Sequence, residues 1–222
     1  MKKFVIIVAG GSGTRMNAGI PKQFLILQGK PVLAHSIEKF HLAFPDIEII
    51  VVLPVSLWDE WDILCKQYNL IIKHTIAPGG ETRFHSVQNG LELIAGEGIV
   101  AIHDAARPLI STNLISSCML FAEKHGNAIP VIPVNESIRQ LTGDSSQIAD
   151  RDQFRIIQTP QCFSVVELKG SYKQGYKPDF TDDASVLESA GYKINLVQGE
   201  KANLKITVQE DLLIAGAILK SN

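Results

Sequence analysis

The sequence predicts an α/β fold of Rossmann-like type: a mainly parallel sheet with helices on both faces, plus a protruding β-arm. Three observations carry that expectation. Apolar bursts recur along the chain with helix-like stretches between them. Most bursts are continuous β-branched runs rather than alternating ones, the pattern of strands covered on both faces. The chemically unusual residues fall just after a strand or in a loop, where ligands collect in such sheets.

The first burst, "FVIIVA" (4–9), follows two lysines and so imitates a secretory signal. It is short, and glycines and Arg15 stand where a cleavage region would be, so a buried first strand is expected. Helices are expected near 32–44, 56–68, 83–95 and 111–125. Strands are expected at "IEIIVVL" (47–53), "IIKHTIA" (71–77), "GIVAIHD" (98–104) and "NAIPVIPV" (127–134). Ser111-Thr112 offers an N-cap for the last helix and Gly126 a stop. The polar segment 135–163 breaks the rhythm. Its "SIRQL" and "FRIIQ" are expected to leave the body as two strands of a hairpin. "QTPQCF" (158–163) reads as a strand turning at Pro160, and "TDDASVLESAG" (181–191) as a helix capped near Thr181. "NLKIT" (203–207) puts Lys205 inside an apolar strand. One domain spanning 1–222 is expected, with the arm at about 135–155.

The 222 residues suffice for one sizeable core. With 21 basic and 23 acidic side chains the net charge is −2, so no bulk field draws the chain to nucleic acid or membrane. Any anion site must be local. No apolar run is long enough to span a bilayer. The three cysteines, Cys65, Cys118 and Cys162, are odd in number, far apart and without a C-x-x-C pair. Reduced thiols and a cytoplasmic location are expected.

Two glycine-rich loops carry the chemistry. Gly10, Gly11 and Gly13 follow the first strand. Glycines allow close main-chain approach, and consecutive amides form an anion-binding concavity. Arg15 adds a donor fork and Lys22 a compact charge, with Pro21 stiffening the approach. The pattern is neither a Walker loop nor G-x-G-x-x-G, because Met16 occupies the third glycine position of the latter. It suits a polyphosphate. "APGGETRFHSVQNGL" (77–91) is a second glycine loop, whose Glu81 and Ser86 are able to read a base edge. The alternative there is a plain turn with Glu81 and Arg83 solvated. In "AIHDAARP" (101–108), Asp104 ends a buried strand and is suited to Mg²⁺ or to capping a turn. His103 is read as a packed histidine, and Arg107 as a phosphate binder or a surface ion pair. Thr159 is read as a hydrogen-bond donor.

Taken in order, "AGGSGTRM…PKQ", "GGETRFHSV", "HDAARP", Asp150-Arg151, "QTPQCF", "TDDAS" and "NLKIT" resemble the cytidylyltransferase family of the non-mevalonate isoprenoid pathway over nearly the whole chain. The resemblance implies CMP transfer from CTP to a polyol phosphate. "HDAARP" and "TDDAS" resemble the branch that uses methylerythritol phosphate more than the one that uses ribitol 5-phosphate. The wider alternative is a sugar-1-phosphate nucleotidyltransferase. By resemblance, Ala9, Gly10, Gly11, Gly13, Gly80, Glu81, Ser86 and Ala105 surround the nucleotide. Arg15, Lys22 and Lys205 are catalytic. Asp104 binds Mg²⁺ or another divalent cation. Arg107, Ser137, Arg151, Thr159 and Thr181 bind the acceptor, with Ser137 and Arg151 reaching a partner's pocket in a homodimer with exchanged arms. The chain departs from the family pattern at Gly10, Glu81 and Ser137, where alanine, aspartate and threonine are common.

Overall fold

The computed structural model describes residues 1–10 and 20–221, and its first apolar burst is strand β1 (Lys3–Val8). A small hairpin, β2 (Ile26–Leu27) and β3 (Lys30–Pro31), leads into helix α1 (Val32–Ala43). The expected alternation comes next: β4 (Glu48–Leu53), α2 (Trp58–Gln67), β5 (Thr75–Pro78), α3 (Arg83–Glu92), β6 (Ile99–Asp104), α4 (Thr112–His125) and β7 (Asn127–Pro133). Beyond it lie β8 (Ile138–Thr142), β9 (Ser145–Ala149), β10 (Arg155–Ile157) and β11 (Gln161–Ser164). The chain ends in α5 (Val165–Tyr172), α6 (Asp183–Ser189), β12 (Leu196–Gln198) and α7 (Gln209–Ser221).

The main sheet runs β10-β7-β11-β6-β1-β4-β5, with β12 also on β7. Its centre is parallel: β1 pairs in parallel with β4 and β6, and β4 with β5. β10 and β11 run antiparallel to their neighbours. Side chains alternate between two cores. Val5, Ile7, Ile49 and Val51 face α1, α2 and α4. Phe4, Ile6, Ile50 and Val52 face α3, α5 and α6. Coverage on both faces explains why the strands read as unbroken apolar runs. A third, smaller core joins α7 to the β2–β3 hairpin through Leu27, Val32, Ile206 and Ala215.

The ends of α4 match the sequence. Ser111 Oγ accepts from the Leu114 N–H at 3.0 Å, and Gly126 stops the helix at φ +88°. The three cysteines are free thiols. Among the described residues no helix is long and apolar enough to cross a membrane.

Four expectations need correction. A separate two-stranded hairpin does follow β7, but its second strand is β9 rather than "FRIIQ". Gly143 at φ +60° and Asp144 form a two-residue turn, which pairs β8 with the residues immediately after it. Residues 155–157 instead form β10, in the main sheet with Ile156 opposite Ile132. The third strand begins only at Thr75, because β4 offers partners from there onward and Ile71 is exposed. The cap of α6 is Asp182, not Thr181. Asp182 and Ser185 form a reciprocal capping box, and Thr181 lies outside it, exposed. Finally, residues 203–207 are not a strand. Among the described residues they hold one main-chain bond to the body, from the Ile206 N–H to the Ala106 carbonyl at 2.8 Å.

Candidate active site

β1 and β6 are adjacent and in register, Val8 opposite Asp104, so the loops after both strands start at one edge of the sheet. The Ala105 N–H donates to the Val8 carbonyl (3.1 Å), and the Ala9 N–H to that of Val52 (2.9 Å). Beyond this edge lies a cavity of about 220 Å³. Ala9 and Gly10 line it from β1, Asp104 and Ala105 from β6, and Gly80, Glu81, Arg83 and Ser86 from the α3 entrance. Lys22, Gln23 and Lys205 complete the wall.

The side chains are held by identifiable bonds. Gln23 is buried, and its Nε2 donates to the Ala9 carbonyl at 2.8 Å, tying the short turn that carries Lys22 to the end of β1. Thr82 caps α3, and the Gly80 N–H donates to Ser86 Oγ at 3.0 Å. A Cβ at position 80 would lie 2.4 Å from His85 Cβ and 2.9 Å from Ser86 N, so only glycine lets this loop close on the helix.

Asp104 is the electrostatic centre. Its carboxylate meets Lys205 Nζ at 2.7 Å and Arg83 Nε at 3.6 Å. Burial pushes its pKa up, but Arg83, Lys205 and Arg107 outweigh that and hold it well below the usual carboxylate range. Arg83 is anchored behind it. Its Nη2 lies 2.7 Å from Oδ2 of Asp183, a fully buried carboxylate that also accepts from the Tyr172 hydroxyl at 2.7 Å. Burial acts against the Arg83 charge, and Asp183 and Asp104 more than restore it. Arg83 is therefore a structural bridge rather than a solvated charge.

Among the described residues, Asp104 is the carboxylate at this cavity held between two cations, and Glu81 lines the same wall. Among the described residues no group of three or more His, Cys, Asp or Glu converges. One or two carboxylates suit Mg²⁺, which keeps several waters and takes phosphate oxygens as its other ligands.

His103 is fully buried beside this centre, edge-on to Phe40. Its Nε2 faces the Arg107 carbonyl (3.2 Å) and its Nδ1 the Thr159 hydroxyl (3.1 Å), whose oxygen accepts from the Asp104 N–H (3.0 Å). Burial pushes its pKa down to about 4. An unfolded chain protonates histidine near about 6.5, so it binds more protons than the folded chain between these values. Stability should therefore fall as pH drops through that window in metal-free buffer. His35, whose pKa burial also lowers, acts in the same direction. Loss of Asp104's charge adds to the effect only at still lower pH. Thermal denaturation from pH 7 to 4.5 checks this, and a flat profile would contradict it.

The sequence-predicted residues divide into two groups. Ala9, Gly10, Lys22, Gly80, Glu81, Ser86, Asp104, Ala105 and Lys205 share the cavity. Gly11, Gly13 and Arg15 lie outside the described residues. The acceptor set does not line the cavity. Thr159 is buried with its hydroxyl turned to Asp104 and His103. The Arg107 guanidinium donates to the carbonyls of Asn203 (2.8 Å) and Ile157 (3.4 Å). Thr181 is exposed. Ser137 and Arg151 border a separate depression at the base of the arm, where Arg151 donates to the Asn135 carbonyl. Sequence reasoning missed Gln23, Asp183 and Tyr172 as positioning residues. The adjacent acids of "TDDAS" were the available signal, since a helix needs only one of them as its cap.

The chain matches the family model described as "IspD: 2-C-methyl-D-erythritol 4-phosphate cytidylyltransferase" over residues 3–221. It is 46% identical over 219 residues to the protein of that name from Bacteroides thetaiotaomicron, covering 99% of this chain and 100% of the other. The Phocaeicola vulgatus protein of the same name is 48% identical over 219 residues, with the same coverage. Among solved structures, the Thermus thermophilus protein of that name aligns with a TM-score of 0.81 at 30% identity, covering 99% of this chain and 100% of that one. The 4-diphosphocytidyl-2C-methyl-D-erythritolsynthase from Anaerococcus prevotii aligns with a TM-score of 0.84 at 27% identity, covering 99% of this chain and 96% of that one. The chain belongs to the 2-C-methyl-D-erythritol 4-phosphate cytidylyltransferase family.

Proposed function

We propose that this chain transfers CMP from CTP to the phosphate of 2-C-methyl-D-erythritol 4-phosphate and releases pyrophosphate. Family membership supports the reaction and the pathway, isoprenoid precursor synthesis by the non-mevalonate route. The observation that carries the mechanism is the meeting of Lys22, Asp104 and Lys205 at one cavity walled by the Gly80 loop.

An acceptor phosphate oxygen attacks the α-phosphorus of CTP in line, and the bond to pyrophosphate breaks. A phosphate monoester has its second pKa at about 6, so near neutral pH it is already largely ionised and no protein base is needed. Catalysis then rests on positioning and charge neutralisation. Lys22 and Lys205 offset charge on the α-phosphate and the leaving group, and Arg15 has the same role. Asp104 would hold Mg²⁺, which supplies charge neutralisation across the phosphate oxygens when bound. Gly80, Glu81 and Ser86 face the base and ribose.

Pyrophosphate release tests the reading. CTP and UTP are each offered with Mg²⁺ and one of methylerythritol phosphate, ribitol 5-phosphate or a sugar 1-phosphate. Release is expected with CTP and methylerythritol phosphate far above every other pair. A preference for UTP, or for ribitol 5-phosphate, would move the chain to one of the alternatives.

We also propose that the chain works as a homodimer whose arms exchange. The β8–β9 hairpin leaves Leu141 80% and Ile148 84% exposed, and a two-stranded hairpin is marginally stable alone. A second copy would cover those side chains and receive Ser137 and Arg151 at its acceptor pocket. Arg151→Ala is expected to raise the acceptor KM and leave the CTP KM nearly unchanged. Mixed dimers of one Arg151→Ala subunit and one Lys22→Ala subunit check the exchange at low acceptor concentration. Exchanged arms leave one intact site and about half the normal rate; arms serving their own subunit leave none.

A further inference from the structure

Residues 199–207 lie between β12 and α7 and form no helix or strand. Yet this segment delivers Lys205 to within 2.7 Å of Asp104. A pair of buried amides ties it to the body. The Asn203 side chain is fully buried, and its Nδ2 donates to the Thr159 carbonyl at 2.8 Å. Gln158 is 2% exposed and reaches the other way. Its Nε2 donates to the carbonyls of Glu200 (2.8 Å) and Asn203 (3.3 Å), and its Oε1 accepts from the Glu200 N–H (3.1 Å). Gly199 makes room for this. A Cβ there would lie 2.5 Å from Gln158 Oε1.

We infer that Gln158 and Asn203 form a latch that positions two functional cations at once. The inference rests on the nucleotidyl-transfer reading above. Lys205 follows Asn203 by two residues, so a shift of the latch passes almost undiminished to the ammonium group. Arg107 is seated on the same residue, its Nη1 donating to the Asn203 carbonyl at 2.8 Å. Thr159, the residue that Asn203 grips, accepts the Asp104 N–H through its hydroxyl. One buried residue thus connects the strand end that bears Asp104, the loop that bears Lys205 and the guanidinium assigned to the acceptor. Neither amide lines the cavity, so both are positioning residues.

Asn203→Ala and Gln158→Met test the latch from opposite sides. Each is assayed by pyrophosphate release, with kcat and both KM values determined separately. The latch predicts that kcat falls and that the acceptor KM rises by about tenfold or more, the effect of misplacing the cations rather than of removing a bond to either. The CTP KM stays within about threefold, because Lys205 acts mainly on charge that develops in the transition state and the base-facing loop before α3 is separate from this segment. A purely structural role would lower the melting temperature and the active fraction but leave both KM values alone. Adding Asn203→Ala to Arg107→Ala should raise the acceptor KM no further, since the effect runs through Arg107. Two outcomes overturn the latch: an unchanged acceptor KM in both folded variants, or failure of both variants to fold, which would make the amides a folding element. If the unsubstituted protein releases no pyrophosphate from CTP with any acceptor, the nucleotidyl-transfer reading fails instead.

Discussion

Lys205→Ala is expected to lower turnover by about 10²-fold or more while the protein folds normally. The side chain is 42% exposed, and its one charged partner within 4.0 Å among the described residues is Asp104. Little packing is lost with it. Asp104 keeps Arg83 beside it and so stays ionised in the variant. What disappears is a fixed positive centre facing the cavity. A centre already fixed in place acts on developing charge without having to reorganise at the moment of reaction. The loss should appear in kcat and kcat/KM together, the sign of an interaction made mainly in the transition state. Single-turnover kinetics with a melting curve as control measure this. A near-normal rate in a folded variant would remove Lys205 from the mechanism.

Asp183→Ala is expected to have the largest effect on stability, a loss of about 3–5 kcal/mol. The carboxylate is fully buried and satisfies two side chains, Arg83 and Tyr172, at 2.7 Å each. Its removal leaves the Tyr172 phenol without an acceptor in the core, and Arg83 with Asp104 alone. For a chain of this size the melting temperature should fall by roughly 6–20 °C. Asp183→Asn keeps the volume and an acceptor for Tyr172, so its loss should be smaller. A loss under about 1 kcal/mol for the alanine variant, the size of an exposed ion pair, would contradict the bridge. Activity should fall further than the folded fraction does, because Arg83 holds Asp104 from behind.

The central sheet was legible because β1, β4 and β6 are buried on both faces and show it as unbroken Ile and Val runs. The helices α1 to α4 were legible from the stretches between those runs and, for α4, from its caps. Other elements carried weaker signals. α5, "VVELKGSY", opens on two β-branched residues and holds a glycine, so its local preference is not helical. It is a helix because Val165, Leu168 and Tyr172 fill the second core. The "NLKIT" segment has the composition of a strand, but among the described residues no strand pairs with it to complete a ladder. Its Ile206 is buried against α7 instead. The cavity residues were legible because glycines, an acid at a strand end and isolated cations are each unusual in such places. Gln23, Gln158 and Asn203 were not, because an amide in a sequence looks the same whether it faces water or closes a buried turn.

The proposed chemistry needs side chains far apart in the sequence to share one polyphosphate. Amine-reactive labelling of the intact protein, read by peptide mass, tests that directly. Saturating CTP with Mg²⁺ should slow modification of Lys22 and Lys205 together, while Lys2 and Lys173, exposed elsewhere, react as before. Equal labelling of Lys22 or Lys205 with and without CTP would contradict it.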